Sequence, residues 1–424
     1  MRRRAFLHSG AGALLGLAAT RGLTAHAAPT AFSPFAQEGV SSPRAGKLKV
    51  DVYSRHLQWL RTADEVAEAA IEMAYNGVDI TVRPYPGHVD PARVKTDLPP
   101  FVNTIRRHGL QVVTITCPIT DADSPHAEEI LQTAADLGIH HYWWGTFRYA
   151  PNQPILPQLD ALKPRVAKLA ALNAKYGMTA MYHTYSGPVT VGAGIWDLLH
   201  VLRNFDPKQV GFHYDSGHMV IAGGGGTWEM NLRAAAPYIA GLSVKDYVIE
   251  PTLVVNEGGP MPAAVAARLG QPRGRRGRGG GRGRGRGAPE AAPPEQGEPL
   301  QAGLAGAAGE GRGGRGTGPG RGGRGGRGRG GFGGMKPGWR ERAVPLNTGM
   351  VDLPTLAAIL KEINFSGPVE IQSEYPNGGA ESARDHLSLP RAIVLGNMKR
   401  DLLALRMEFG PSGLLDGALS AEVR

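Results

Sequence analysis

Short apolar runs alternate with amphipathic stretches along most of the chain, starting at Leu48. The runs have the length and the β-rich composition of strands, and the stretches between them have the pattern of helices. Eight runs can be placed as strands: Leu48–Tyr53, Gly77–Val82, Gln111–Thr116, Ile139–Trp144, Met178–His183, Val210–Asp215, Ile239–Val244 and Pro368–Ser373. Strands that alternate with helices predict a parallel sheet with crossover helices.

Helix start and stop signals stand between these runs. Thr62 and Glu65 have the spacing of a capping box, so we expect a helix that continues through Asn76 and ends at Gly77. Glycines also end helices just ahead of three other runs, at His108-Gly109, Leu137-Gly138 and Tyr176-Gly177. Eight such units in roughly 300 residues predict a closed (β/α)8 TIM barrel. An open doubly wound sheet is the alternative, although no glycine-rich phosphate loop follows the first strand.

The first 28 residues have the order of a secretory signal peptide. Arg3-Arg4-Ala5-Phe6-Leu7 precedes a stretch of small residues and leucine, and Ala25-His26-Ala27 follows as a cleavage site. The paired arginines before Phe-Leu indicate the twin-arginine (Tat) route, with an ordinary export signal or a short anchor as the alternatives. We therefore expect a signal peptide over 1–28, a linker over 29–46, and a periplasmic or extracellular protein without a transmembrane segment in its mature chain.

A low-complexity Gly/Arg-rich segment, residues 257–342, interrupts the barrel between the predicted strands seven and eight. It contains too few aromatic and β-branched residues to bury a core, so we expect a disordered insertion. The barrel would then comprise residues 47–256 and 343–408, followed by a tail over 409–424. Repeated Arg-Gly units are also found in RNA-binding tracts, but Phe332 is the one aromatic residue between them. Weak contact with an anionic polymer or envelope surface is the alternative to a tolerated insertion, and no specific nucleic acid is expected.

The net charge of +10 does not describe the predicted barrel. Residues 273–329 contain 13 arginines and four glutamates, and four more arginines lie within the first 21 residues. Without these two regions the chain has a formal charge of about −3. The excess of basic residues in the whole chain therefore gives no reason to expect that the barrel itself binds a polyanion.

Catalytic side chains of TIM barrels project from the C-terminal ends of the strands. Imidazoles, carboxylates and a lysine stand at those ends in the last four predicted strands: His183 on the fifth, His213, Asp215 and His218 on the sixth, Lys245 and Asp246 after the seventh, and Gln372 and Glu374 after the eighth. Imidazole and carboxylate groups that converge from adjacent strands are suited to a divalent metal such as Mn²⁺, Co²⁺ or Zn²⁺.

The strand ends resemble those of the sugar phosphate isomerase/epimerase family of xylose isomerase-like TIM barrels. The resemblance rests on four segments: Asp215-Ser216-Gly217-His218, Ala222-Gly223-Gly224-Gly225, Val244-Lys245-Asp246, and the stretch from Val344-Pro345-Leu346 to Gly349-Met350-Val351-Asp352. It covers about Leu48 to Met398 apart from the insertion. The resemblance implies proton transfer next to a carbonyl group, and one divalent metal held by two glutamates, an aspartate and a histidine.

Carried over by position, the resemblance assigns metal binding to Asp215 and substrate contact to His218. His183, Asp215 and Glu374 form the expected metal set, with His213 or His218 as a further nitrogen ligand. This chain departs from the family pattern after the seventh strand, where Ser243 stands in place of a histidine. A neutral Gln372 also competes with Glu374 for the ligand position on the eighth strand. A barrel that has lost its metal is therefore the alternative.

Catalysis is expected from Glu374, His218 and Lys245. Glu374 would act as the base if it does not bind metal, while His218 and Lys245 would orient or stabilise substrate oxygens. A plain ion pair between Lys245 and Asp246 is the alternative for this lysine.

Substrate binding is expected from residues near the ends of the first, fourth and eighth strands: His56, with Arg55 beside it, Trp143, Trp144, Arg148 and Gln372. Aromatic faces stack on the apolar faces of sugars, and arginine binds carboxylate or phosphate through two parallel hydrogen bonds. Because side chains alternate along a strand, one tryptophan of the pair should face the helical layer as core.

Together these features predict an exported isomerase/epimerase-like enzyme that transfers a proton next to a carbonyl on a sugar, cyclitol or keto-sugar, either with a divalent metal or without one. A metal-free carbohydrate-binding barrel and a lyase or dehydratase of the same family are the alternatives. A base-excision endonuclease shares the broader superfamily, but it requires a multi-metal site richer in histidine and glutamate than these strand ends provide.

Overall fold

The computed structural model describes residues 47–223, 225–251 and 339–416. Outside the described residues lie the predicted signal peptide and linker, residue 224, residues 252–256 of the predicted barrel, residues 257–338 of the predicted insertion and the tail from residue 417. In the described ranges no helix combines the length and the apolar character needed to cross a membrane.

Eight parallel strands close into a barrel, as predicted. They are β1 (Val50–Tyr53), β2 (Gly77–Thr81), β3 (Thr114–Thr116), β4 (His141–Trp144), β5 (Thr179–His183), β6 (Val210–Asp215), β7 (Ile239–Val244) and β10 (Val369–Ile371). β10 pairs with both β7 and β1, which closes the sheet. Each observed strand lies within the corresponding predicted run, so the hydrophobic pattern was sufficient to place all eight.

Helices cover the outside of the barrel. They are α1 (Ala63–Glu72), α2 (Val94–Arg107), α3 (Ala127–Asp136), α4 (Ile155–Tyr176), α5 (Trp196–Leu202), α6 (Ser216–Ala222), α7 (Trp228–Ala235), α8 (Leu353–Glu362) and α9 (Arg391–Phe409). Their apolar faces pack on the strands and form one continuous core with them. The alternation of strand and helix is that of a TIM barrel.

The start of α1 confirms the capping-box prediction, but its end does not. Thr62 accepts a hydrogen bond from the amide of Glu65, whose carboxylate accepts one from the amide of Thr62. The helix ends at Glu72 rather than at Asn76, because the backbone turns into the left-handed region at Ala74 (φ 67°). Gly77 instead belongs to β2, where an added Cβ would lie 2.4 Å from Asp51 Oδ1.

A two-stranded antiparallel hairpin follows β7 and was not predicted from the sequence. Its strands are β8 (Asp246–Pro251) and β9 (Trp339–Val344), and the residues between them lie outside the described ranges. β9 includes residues 339–342, which the composition had placed at the end of the low-complexity insertion. The insertion region is thus bounded by a hairpin that starts at the C-terminal end of a barrel strand.

Candidate active site

Four neighbouring strands bring the predicted polar residues to one place. The barrel order β5, β6, β7, β10 places their C-terminal ends side by side. Across these strands His183 pairs with His213, Asp215 with Ser243, and Ser243 with Glu370. Because the strands are parallel and in close register, the side chains at and just beyond these ends converge on the barrel mouth.

The Lys245 ammonium lies at the centre of this cluster. Its Nζ is 3.0 Å from Asp215 Oδ2 and 2.9 Å from Glu374 Oε2, and it donates to Gln372 Oε1 at 3.1 Å. The Lys245 and Asp215 side chains are 2% and 0% exposed, whereas that of Glu374 is 26% exposed. The predicted catalytic and metal-binding residues are therefore gathered around a lysine, with Glu374 as the member nearest to solvent.

The charges of the cluster stabilise one another. Burial opposes ionisation of Asp215 and Glu374, but the Lys245 ammonium overcomes this effect and holds the pKa of each carboxyl well below its usual range. Burial likewise opposes the charge on Lys245, and the two carboxylates raise the pKa of its ammonium well above the usual value. The site therefore keeps a positive charge and two negative charges at neutral pH.

The histidines at the mouth are neutral. Burial lowers the pKa of His218 to about 3 and that of His56 to about 4, in both cases with a further contribution from a nearby cation. Burial also lowers the pKa of His183, whose Nε2 lies 3.2 Å from Asp215 Oδ2. His56 Nδ1 bonds the Ala380 carbonyl at 3.1 Å, so that nitrogen bears the proton and Nε2 is an acceptor.

A third carboxylate approaches the mouth from the β8–β9 hairpin. Glu341 Oε2 accepts a hydrogen bond from Ser186 Oγ at 3.3 Å, and Ser186 Oγ lies 3.0 Å from His218 Nδ1. Burial raises the pKa of Glu341. Tyr247, on the same hairpin, stacks on His218 at 5.4 Å and donates to Glu374 Oε2 at 2.8 Å. The hairpin thus contributes one acid and one phenol to the site.

Aromatic groups and an arginine form the wall on the β2–β4 side. Trp143 lies 5.7 Å from His183 and 6.5 Å from Tyr185, measured between ring centroids. The Arg83 guanidinium stacks on Trp143 at 4.8 Å, and its buried Nε and Nη2 have no hydrogen-bond partner in the described structure. Arg83 therefore offers two unused donors next to an aromatic face.

Three predicted residues lie elsewhere or have a different partner. Trp144 packs in the helical layer, where its indole donates to the Thr120 carbonyl, so it is the core member of the tryptophan pair. Arg148 is exposed, and its backbone forms a bridge with Thr190. Asp246 does not pair with Lys245; it accepts hydrogen bonds from the amides of Tyr247, Gly349 and Val351 and so anchors a loop.

Several residues of the site escaped the sequence patterns. Arg83, Tyr185 and Ser186 lie just beyond strand ends, where the same search could have found them. Tyr247 lies two residues after Lys245, and its inclusion required the hairpin to be recognised. Glu341 stands at the border of the low-complexity segment, and no local signal there indicates a site residue.

The donors at the mouth do not fit a divalent metal as they stand. Asp215 and Glu374 already share the Lys245 ammonium, and a second cation between them would be repelled by it. Ser243 Oγ supplies a hydroxyl where the family pattern has an imidazole. Within the described ranges, no group of three or more His, Cys, Asp or Glu side chains is arranged to hold a metal ion. We therefore assign no chemistry at this site to a metal.

A buried acidic layer lies beneath the site, inside the barrel. Asp51, Asp79 and Glu370 are each at most 3% exposed and line a cavity of about 10 Å³ together with Thr114 and His213. Burial raises the pKa of Asp51 to about 8 and that of Asp79 to about 6, and raises that of Glu370 well above its usual value. Gln372 Nε2 donates to Glu370 at 2.6 Å and so connects this layer with the mouth.

Comparison with known proteins agrees with this architecture. Residues 67–263 match the family described as the xylose isomerase-like TIM barrel. The sequence matches no curated protein.

Solved structures with a similar fold include sugar-modifying enzymes. D-psicose 3-epimerase from Clostridium cellulolyticum H10, solved with D-tagatose, is 10% identical, with a TM-score of 0.51 over 85% of this chain and 99% of that one. The 3-keto-D-glucoside 4-epimerase YcjR from E. coli is 12% identical, with a TM-score of 0.47 over 84% and 99%. The probable 3-DHS dehydratase AsbF from Bacillus anthracis is 11% identical, with a TM-score of 0.48 over 84% and 98%. At these identities the likeness is one of fold.

Proposed function

We propose that this chain, whose residues 67–263 match the family described as the xylose isomerase-like TIM barrel, is an enzyme that removes and returns a proton next to a carbonyl group of a sugar, cyclitol or keto-sugar, as an isomerase or epimerase. The observation that carries the proposal is the buried Lys245 ammonium at the mouth, within 3.0 Å of Asp215 and Glu374. The shared fold of D-psicose 3-epimerase supports the same class of chemistry.

Lys245 supplies the positive charge that this reaction requires. Removal of a proton next to a carbonyl places negative charge on the carbonyl oxygen, and a fixed cation in a site with little water stabilises that charge. The Tyr247 hydroxyl, 2.8 Å from Glu374, is a second donor at the same place. Both groups are held before substrate arrives, so little reorganisation is needed during the reaction.

Glu341 has the properties of the proton acceptor. Burial raises the pKa of its carboxyl, and its described hydrogen bond comes from a neutral hydroxyl, that of Ser186. Glu374 is a weaker base because Lys245 and Tyr247 already bind its carboxylate. When two acids at one site have pKa values displaced in opposite directions, their roles also differ. We assign proton transfer to Glu341 and the orientation of substrate hydroxyls to Glu374.

The wall of the site supports a carbohydrate substrate. The face of Trp143 suits the apolar face of a sugar ring, and His56 Nε2 can accept a hydrogen bond from a sugar hydroxyl. The unused Nε and Nη2 of Arg83 can bind a carboxylate or another oxygen-rich group.

Solvent proton exchange tests the proposal directly. The purified full chain is incubated in D₂O with a panel of ketoses, keto-sugars, keto-cyclitols and sugar acids, and ¹H NMR follows loss of the proton next to the carbonyl. We expect exchange with at least one member of the panel. Glu341→Gln should slow exchange about 10²- to 10⁴-fold, the usual contribution of general base catalysis, while substrate binding is retained.

Glu250→Gln is the matched control, because Glu250 lies on the same hairpin and pairs with Arg340 and Arg342 outside the site. Equal losses in the two variants would contradict the role of Glu341. Saturable binding without exchange across the panel would favour the alternative, a carbohydrate-binding barrel. Exchange accompanied by loss of water from the substrate would indicate a lyase or dehydratase of the same family.

We also propose that the chain is exported by the twin-arginine route, on the strength of Arg3-Arg4 and the following Phe-Leu. Arg3→Lys with Arg4→Lys should retain the full chain in the cytoplasm, whereas the parent chain should appear in the periplasmic or extracellular fraction. Equal export of both would contradict this route.

A further inference from the structure

The ammonium of Lys245 has the surroundings of a bound cation. Three oxygen atoms, one each from Asp215, Gln372 and Glu374, lie 2.9–3.1 Å from Nζ. Nζ donates hydrogen bonds to Gln372 and Glu374, and Asp215 Oδ2 forms an ion pair with it at 3.0 Å. The side chain is 2% exposed, and the contacts come from the ends of two different strands. These contacts fix the position of the Lys245 ammonium at the barrel mouth.

The groups around Nζ are those that would bind a metal if the lysine were absent. Asp215 and Glu374 provide two carboxylates, and Gln372 Oε1 provides a neutral oxygen. His183 Nε2 lies 3.2 Å from Asp215 Oδ2, at the spacing of two ligands that share one ion. Metal–ligand bonds of about 2.0–2.2 Å would require these atoms to move inward by about 1 Å. Such a movement is possible only if Nζ leaves.

We propose that Lys245 is a built-in cation that takes the place of a divalent metal at this site. The Lys245 ammonium then pairs with Asp215 and Glu374 in the folded protein, offsets one of their two negative charges and excludes metal ions from the position between them. Ser243 agrees with this assignment: its buried Oγ has no hydrogen-bond partner in the described structure and provides no imidazole. The inference rests on the proposed function only for the role of the ammonium toward a substrate oxygen.

The inference predicts that removing the ammonium creates a metal site. Lys245→Ala removes the ammonium and leaves a space beside Asp215, Glu374, His183 and Gln372. Two of these four side chains are carboxylates, and no cation of the protein then lies between them. Co²⁺ is the probe, because its visible absorption reports the ligand geometry and calorimetry gives its affinity. Lys245→Met is the matched variant, because it also removes the charge but keeps the space filled. The double variant Lys245→Ala with Asp215→Asn removes a ligand.

We expect Lys245→Ala to bind one equivalent of Co²⁺ at least 100-fold more tightly than wild type, Lys245→Met or the double variant. Bound Co²⁺ should also raise the thermal unfolding temperature of Lys245→Ala and leave that of wild type unchanged. A folded Lys245→Ala variant that binds Co²⁺ no better than wild type would overturn the inference.

Metal titration of the wild-type protein is a second, independent test of the inference. If wild type binds one equivalent of Co²⁺, Mn²⁺ or Zn²⁺ and loses it in Asp215→Asn, a metal does occupy the site and the inference fails, even if Lys245→Ala does not fold. Absence of such binding supports it. Because these titrations require no substrate, a failure of proton exchange would count against the proposed function and would leave the metal result unchanged.

Discussion

Asp51→Asn should stabilise the protein near neutral pH and leave it unchanged in acid. Asp51 lies on β1 inside the barrel and is 1% exposed. Its Oδ1 accepts a hydrogen bond from Gln111 Nε2 at 2.7 Å, whereas Oδ2 lines the small cavity without a hydrogen-bond partner in the described structure. Burial raises the pKa of this carboxyl to about 8. The folded protein therefore holds a proton on Asp51 that the unfolded chain releases near pH 4.

The sign and size of the effect follow from this difference in pKa. A raised pKa contributes stability in full below the unfolded value, and the contribution is lost as pH rises from about 4 toward about 8. At pH 7 the Asp51 carboxyl is protonated in the folded protein and ionised in the unfolded chain, whose carboxyl has a pKa about three units lower than pH 7. Keeping that proton lowers the unfolding free energy by ~4 kcal/mol, at about 1.4 kcal/mol per unit. Asparagine has nearly the same shape and requires no such proton.

Urea unfolding of wild type and Asp51→Asn at several pH values between 4.5 and 8 measures the prediction. The variant should gain ~1 kcal/mol or less at pH 4.5 and ~2–4 kcal/mol at pH 7, the lower figure allowing for imperfect hydrogen bonding of the new amide. Asp136→Asn, at an exposed position of α3, should show neither change. The same pH dependence in Asp51→Asn and wild type would refute the reasoning.

Three further variants test other parts of the structure. Lys245→Met should lower the unfolding free energy by ~3–5 kcal/mol at pH 7, because Asp215 and Glu374 lose their cation. In urea titrations this loss should shrink toward pH 4, where both carboxyls can take up protons. A loss that does not depend on pH would contradict the ion-pair account. Gly77→Ala should cost ~1–3 kcal/mol, because its Cβ would lie 2.4 Å from the Gln111 carbonyl oxygen and from Asp51 Oδ1, whereas Gly396→Ala, in α9 with open space around it, should gain ~0.5–1 kcal/mol in thermal unfolding. Thr62→Ala should cost ~1 kcal/mol, because it removes the acceptor for the Glu65 amide; Thr96→Ala, at an exposed position of α2, is the comparison, and equal effects would argue against the cap.

Local patterns were sufficient for the barrel and for the positions of its polar strand ends. The eight apolar runs, the capping box at Thr62 and Glu65, and the polar residues that follow each run all depend on neighbours within a few positions in the chain. Side-chain alternation also predicts that one residue of Trp143 and Trp144 belongs to the core. Strand register in the barrel then decides that Trp144 is that residue.

The partners of the charged side chains were decided by tertiary structure. The sequence places Lys245 beside Asp246, yet barrel closure carries its ammonium to Asp215 and to Glu374, which is 129 positions away. Asp246 instead accepts hydrogen bonds from amides of a loop that is distant in the chain. Glu341 contacts the site from a hairpin that the composition did not predict. Hydrophobic periodicity and helix caps act over a few residues, whereas ion pairs depend on the positions of atoms that only the closed barrel brings within 3 Å. The sequence by itself therefore determined the barrel and the mouth where the site lies, and only the tertiary structure placed a lysine where the family resemblance implies a metal.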